Sequence, residues 1–330
     1  MQCIALHTVI IRPSDEFIKI YCQKDGDGTF YDAKLKHIEL GRYIEAVNEY
    51  GNLYVAQNWN EGVFANSSYS SVDEVTVIIG EKITNINEYM FSHLNIKTLT
   101  VPSTVGLLER YAFYNCDALK TVTLGAQQME SGVLYDCDAL EEVTIKGTVS
   151  SIGRDAFYSC GKIKKLTFEE SATSSTLTLD YQTYASDDQG PFYDAPLEEV
   201  DWRRNISYTL ANAGTVNGKD EGLFSGKSTL TKVNIGAQVK SIPPYTFAGS
   251  GFTAIWIPRE VTSIGNNAFE GCGNFLGLTC NHSTPPTLGT NAFENCGKFY
   301  YISVLEGSEN AFKTAPGWSE HASKIRTWKP

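Results

Sequence analysis

Tyr111-Ala112-Phe113-Tyr114-Asn115-Cys116-Asp117-Ala118-Leu119-Lys120-Thr121-Val122-Thr123-Leu124-Gly125 decides the fold, because the chain copies it. Asp155-Ala156-Phe157-Tyr158-Ser159-Cys160-Gly161-Lys162-Ile163-Lys164-Lys165-Leu166-Thr167-Phe168 is a second copy. Asn267-Ala268-Phe269-Glu270-Gly271-Cys272 and Asn291-Ala292-Phe293-Glu294-Asn295-Cys296 restate the first half. Another half-template precedes the aromatic, as in Val149-Ser150-Ser151-Ile152-Gly153 and Val261-Thr262-Ser263-Ile264-Gly265. A unit too short to bury its own apolar face must stack on its neighbours, so the repetition itself predicts the architecture.

The aromatic anchor recurs at Phe30, Phe64, Phe91, Phe113, Phe157, Phe192, Phe224, Phe247, Phe269 and Phe293, with Leu134 in place of one ring. The gaps are 34, 27, 22, 21, 23, 35, 32, 23, 22 and 24 residues. Most match the period of leucine-rich repeats. The long gaps place insertions at residues 42–60, 169–190 and 203–221. Within a repeat, Leu119 to Leu124 alternates, with Val122 and Leu124 facing in and Thr121 and Thr123 facing out, the period of a half-buried strand. The fold class is therefore a predominantly β leucine-rich-repeat solenoid of about eleven repeats. It has a parallel sheet on one face, irregular return arms and a short C-terminal helical cap. Gly153 and Gly265 are read as turn residues. Residues 1–27 form an N-terminal strand cap, 28–305 the solenoid and 306–330 the C-terminal cap. In the last, Phe312, Ala315, Trp318, Ala322 and Ile325 fall at helical spacing.

At 330 residues the chain exceeds the usual limit of one globular core, which a solenoid escapes. The formal charge of −11, with acidic residues spread along the chain, argues against a nucleic-acid surface, which needs a basic patch. No apolar run is long enough for a transmembrane helix. Met1 to Ile10 lacks the basic and apolar regions of a secretion signal, so either a leader precedes this sequence or the chain stays inside the cell.

Of eight cysteines, Cys116, Cys137, Cys160, Cys272 and Cys296 stand three positions after their anchors. Repeat register explains that spacing. Stacked side chains pointing one way have Cβ atoms too far apart for disulfides, so a ladder of buried thiols is expected. Cys3, Cys22 and Cys280 are off register, Cys280 reading as an inward strand residue. Asp25-Gly26-Asp27-Gly28 lacks the later ligands of a calcium loop, with Thr29 and Lys36 in their places, and reads as a hairpin turn. Asp180, Asp187 and Asp188 read as a solvated acidic loop. His7, His37, His93, His282 and His321 are scattered over different repeats, none in a metal-binding pair. No nucleophile elbow, phosphate loop or matched carboxylate pair is present, so no enzyme, metal or cofactor is expected. Three Asn-x-Ser triplets, at Asn66, Asn205 and Asn281, are ascribed to chance.

The outward strand residues form the face that such arrays usually bind with. Their successive pairs are His37/Glu39, Glu74/Thr76, Thr98/Thr100, Thr121/Thr123, Glu142/Thr144, Lys165/Thr167, Glu199/Asp201, Lys232/Asn234, Ala254/Trp256, Gly277/Thr279 and Tyr301/Ser303. The middle is bland. Toward the C-terminus, Trp256 and Tyr301 stand beside Lys232, Asn234, Glu199 and Asp201, and these six are the candidate partner-binding residues. The insertions, with Tyr50, Tyr54 and Trp59 in one and Tyr181 and Tyr184 in another, are the second candidate.

The pattern Val-x-Ser-Ile-Gly-x-x-Ala-Phe-x-x-Cys-x-x-Leu-x-x-Val-x-Leu resembles the BspA-like leucine-rich repeats of bacterial cell-surface proteins. The resemblance spans roughly residues 28–328, including the terminal Glu306-Gly307-Ser308-Glu309-Asn310-Ala311-Phe312-Lys313-Thr314-Ala315-Pro316-Gly317-Trp318. Leu134 and the repeats around Phe192 and Phe224, which lack the Cys, depart from it. The resemblance implies a secreted or surface-anchored protein linked to adhesion. The expectation is a non-enzymatic binding scaffold for a protein partner. A glycan-binding module and a passive stalk are the alternatives.

Overall fold

The computed structural model describes residues 6–21, 29–30, 33–47, 61–65, 74–180, 191–208 and 222–329. Within these the chain is built from short parallel strands, with a single six-residue α-helix, Glu309–Thr314, and one 3-10 segment, Trp318–Lys324. It divides into two compact units. The first is Met1–Ile163 with Leu177–Asp180 and Pro191–Ala195, the second Lys164–Thr176 with Tyr181–Gly190 and Pro196–Pro330.

In the first unit Thr8–Ile11, His37–Leu40 and Thr76–Ile79 form one ladder. Thr98–Val101, Thr121–Leu124 and Glu142–Ile145 form the next, in register Thr98↔Thr121↔Glu142. A second, narrower row of return strands runs through Asn85–Ile86, Leu107–Leu108, Gln128–Met129, Ser151–Ile152 and Leu177–Leu179. In the second unit Lys165–Phe168, Glu199–Trp202 and Lys232–Ile235 pair in sequence. So do Ala254–Ile257, Gly277–Cys280, Tyr301–Leu305 and Ile325–Trp328. The return strands there are Ser241–Ile242, Ser263–Ile264 and Thr287–Leu288. The alternation read from sequence is the burial pattern observed: Leu99 and Val101 are buried and Thr98 and Thr100 exposed. One row is shifted. In Thr76–Ile79 the outward pair is Thr76 and Ile78, not Glu74 and Thr76, because Thr76 pairs with His37.

The anchors are the core. Ten are buried and Phe30 is partly so. Their rings stack from Phe30 to Phe64, Phe91 and Phe113 at 5.2, 5.5 and 5.2 Å, and from Phe224 to Phe247, Phe269 and Phe293 at 5.6, 5.6 and 5.5 Å. Those spacings are close to the separation of neighbouring strands. Leu134 fills the same column without a ring. Most anchors are also pinned through their backbone. The Phe91, Phe113, Phe247 and Phe269 N–H groups donate to Ala112, Val133, Ala268 and Ala292 of the following repeat.

The return arm turns by two left-handed residues, two before and two after the anchor. Tyr89/His93, Tyr111/Asn115, Gly132/Asp136, Asp155/Ser159, Tyr245/Gly249, Asn267/Gly271 and Asn291/Asn295 all have φ between +52° and +70°. Asn, Asp and Gly tolerate this region better than other residues, which explains their recurrence beside the phenylalanines. Gly153 and Gly265 are not the turn residues. Their φ values are ordinary, and a Cβ there would meet the backbone of the preceding repeat, at Glu130 C (2.5 Å) and Pro244 N (2.4 Å). They are small because two backbones approach closely.

Most strands start eight residues after their anchor, as from Phe113 to Thr121. From Phe91 to Thr98 and from Phe247 to Ala254 the connection is one residue shorter. At both places the wide ladder is interrupted: Thr76–Ile79 does not pair with Thr98–Val101, nor Lys232–Ile235 with Ala254–Ile257. The shorter connection alone does not break a ladder, since Glu199–Trp202 also starts seven residues after its anchor Phe192 and pairs with both Lys165–Phe168 and Lys232–Ile235.

At the C-terminus Phe312 and Trp318 are fully buried, with rings 5.0 Å apart, and the Trp318 indole N–H donates to Pro286 O at 2.7 Å. The chain then adds Ile325–Trp328 to the sheet as a parallel strand instead of continuing as helix. Tyr50, Tyr54, Trp59, Tyr181, Tyr184, Asp187, Asp188, Asp25 to Gly28, Cys3, Cys22 and Asn66 lie outside the described residues.

Candidate functional site

All six candidate residues belong to the second unit, on the outer face of its wide strands. They fall on two ladders separated by the interruption before Ala254.

The polar four are occupied with one another. Glu199 pairs with Lys232 and Asp201 with Asn234 in strand register. The Lys232 ammonium lies 2.9 Å from Glu199 Oε1, and Asn234 Nδ2 donates to Asp201 Oδ1 at 2.8 Å. Asp201 also accepts from Arg203, whose Nε lies 2.9 and 2.8 Å from its two oxygens. Burial alone would raise the Asp201 carboxyl, but hydrogen bonds from Arg203 and Asn234 and the nearby cations hold it below the ordinary carboxylate range. These charges are satisfied before any partner arrives, so they shape the rim more than they supply affinity.

The aromatic pair is different. Trp256 is 40% exposed, and its ring meets that of Trp328 edge to face, with centroids 4.7 Å apart. Tyr301 lies against buried Gly277, where a Cβ would come within 2.7 Å of the ring. The Arg326 guanidinium covers Tyr301 at 3.9 Å from the centroid and reaches Tyr300 at 5.8 Å. Arg326 Nε donates to Ser303 Oγ at 2.9 Å. The outer residues of the four strands thus make a small-residue floor of Ala254, Gly277, Thr279 and Ser303, with Trp256 and Trp328 on one side and Tyr301 under Arg326 on the other. Arg326 and Trp328 come from the last strand, which the repeat template does not reach. The alternation Ile325-Arg326-Thr327-Trp328 was the available signal.

The register cysteines are free thiols. Cys116, Cys137, Cys160, Cys272 and Cys296 donate to the carbonyls of Phe91, Phe113, Leu134, Phe247 and Phe269 at 3.0 to 3.4 Å. Ser250 makes the same contact to Phe224 at 3.1 Å. Burial raises the Cys137 thiol well above its ordinary value, and a hydrogen bond with Cys137 followed by burial does so for Cys160. Among the described residues no group of three or more His, Cys, Asp or Glu could hold a metal ion. No helix there is long and apolar enough to cross a membrane.

A family model for the BspA type leucine rich repeat region matches residues 57–184 and 220–315, in six copies. No curated protein matches the chain. Among solved structures, a leucine-rich repeat protein from Bacteroides ovatus is 17% identical, with 98% of this chain and 92% of that one covered and a TM-score of 0.37. The pneumococcal vaccine antigen PcpA is 14% identical over 74% of this chain and 83% of its own, with a TM-score of 0.28. A leucine rich cell surface protein from Faecalibacterium prausnitzii is 16% identical over 72% and 87%, with a TM-score of 0.24. With well over half of its length matched by the repeat model, the chain belongs to the BspA-type leucine-rich repeat family.

Proposed function

We propose that the chain is a non-enzymatic binding scaffold, displayed on a bacterial surface or secreted, that engages a protein partner through the outer face of its C-terminal sheet. The observation that carries this reading is Trp256, a large apolar side chain with an indole donor, left 40% exposed on the first strand of the four-stranded C-terminal sheet. Around it Glu199, Asp201, Lys232 and Asn234 supply a prearranged polar rim of the kind that excludes water without carrying affinity.

The test is affinity capture of surface proteins from neighbouring or host cells by the wild type and by Trp256→Ala. A partner specific to this face is lost in the variant while thermal unfolding stays within a few degrees, since an exposed edge-to-face pair contributes about 1 kcal/mol. Retention of every captured protein by Trp256→Ala would refute the reading. Glycan binding has one observation in its favour, the 63% exposure of Tyr300, and hits on a glycan array without protein capture would select it.

A further inference from the structure

The face built by the last four strands is rich in hydrogen-bond donors. Arg326 forms no salt bridge: among the described residues no carboxylate comes within 4.0 Å of its guanidinium, in contrast to Lys232 and Arg203 on the adjoining ladder. Its hydrogen bonding there is spent once, through Nε to Ser303 Oγ, so both terminal nitrogens keep their N–H groups. The side chain is nevertheless fixed. The Ser303 bond and the Tyr301 ring, 3.9 Å away, hold the guanidinium plane in place. Neither the Trp256 nor the Trp328 indole N–H has an acceptor among the described residues, and indoles donate only. A face that offers a guanidinium fork and two indole donors matches an acceptor-only group.

We infer that Arg326 is a carboxylate-recognition residue: the segment bound here presents one Asp or Glu carboxylate to the Arg326 fork and seats a neighbouring apolar side chain against Trp256 and Trp328. This rests on the reading of the C-terminal face given above and names the chemistry that it selects. A fork fixed in advance forms paired N–H bonds to a carboxylate at little further entropic cost. The chain's own charge of −11 disfavours a polyacidic partner, so the selected segment carries a single carboxylate in an otherwise neutral or basic context. A neutral sugar is less suited, because Gly277 and the Arg326 guanidinium take up the Tyr301 ring that it would stack on.

The experiment pans a random-peptide phage library on the immobilised full chain, then measures the winners against wild type, Arg326→Gln, Arg326→Lys and Trp256→Ala. Winners are expected to carry one Asp or Glu beside Leu, Phe or Met. Replacing that acid by its amide should weaken binding to wild type about tenfold, and Arg326→Gln should cost the same. The two changes together should cost no more than either alone. Arg326→Lys should recover only part, since an ammonium lacks the fork. Winners without an acid, no winners, or an acid-to-amide loss undiminished in Arg326→Gln overturn the inference. Winners that depend on Trp256 but ignore Arg326 leave the binding face standing and remove only the carboxylate. Winners indifferent to both variants remove the face itself. Sialylated or uronate glycans that bind in an Arg326-dependent manner where peptides fail would overturn the choice of a protein partner.

Discussion

The thiol of Cys116 donates to the carbonyl of Phe91, one repeat earlier, at 3.3 Å. That bond explains why a cysteine stands three residues after so many anchors. The Phe91 N–H already reaches Ala112 of the next repeat, and the Phe91 carbonyl, buried in the phenylalanine column, needs a donor small enough to sit there. Ser250 shows that a hydroxyl serves equally well.

Cys137→Ser should therefore cost less than about 1 kcal/mol, whereas Cys137→Ala should cost about 1 to 3 kcal/mol by leaving the Phe113 carbonyl without its donor. Urea unfolding of the two variants separates them. In the native protein the peptides holding Cys116, Cys137 and Cys160 should resist iodoacetamide at pH 8, and should react once urea unfolds the chain, as mass spectrometry of the digests would show.

The left-handed residues beside the anchors allow a test of backbone strain alone. Gly271 has φ +68°, and the closest atom to a Cβ there would be 3.9 Å away, so Gly271→Ala has room but the wrong torsion. It should destabilise by about 1 kcal/mol. Ser159, at φ +60°, should respond in the opposite sense, Ser159→Gly gaining up to about 1 kcal/mol. Equal and unsigned effects in chemical denaturation would contradict the assignment.

Gly277→Ala probes the aromatic face. The new methyl would meet Tyr301 O at 2.2 Å and its ring at 2.7 Å, so the ring must leave and Arg326 loses its platform. The expected cost is about 1 to 3 kcal/mol, with a change in near-ultraviolet circular dichroism from the displaced Tyr301. An unchanged spectrum would mean that the ring does not rest on Gly277.

Acid should loosen the first unit through His93. Burial lowers its pKa from 6.5 to about 4. The folded state therefore binds fewer protons than the unfolded one between those values. The stability it contributes is complete above pH 6.5 and is lost as pH falls toward 4, on the order of 2 kcal/mol. His93→Asn suits the left-handed φ of +59° and removes the titration. Denaturation midpoints at pH 7 and 4.5 should diverge less in the variant than in the wild type.

The repeat made most of the fold legible. Period, strand alternation, anchor column and thiol register are all properties that a copied sequence displays openly. Three features were hidden for physical reasons. The role of Gly153 and Gly265 depends on the neighbouring backbone, which no single repeat contains. The left-handed positions tolerate Tyr, Ser, Asp, Asn and Gly alike, so no one residue type marks them. Arg326 and Trp328 lie past the last anchor, in a strand that pairs with the array without copying it. Of the six candidates, Trp256 and Tyr301 fall together with those two, while Glu199, Asp201, Lys232 and Asn234 proved to be engaged with one another. Composition along a strand identifies a charge but not the neighbour that neutralises it.

The interruption of the wide ladder before Ala254 has a consequence for how this surface can change. No bond of the wide ladder crosses that point, so the repeats on either side are kept in step by the return strands, where Ser241 pairs with Ser263, and by the Phe224–Phe247 stack. Substitutions that re-space the wide strands after it reach the upstream repeats only through those two inner rows and not through a shared outer ladder. The outer decoration of the four strands from Ala254 to Trp328 can therefore be exchanged without disturbing a hydrogen-bonded edge shared with Lys232–Ile235.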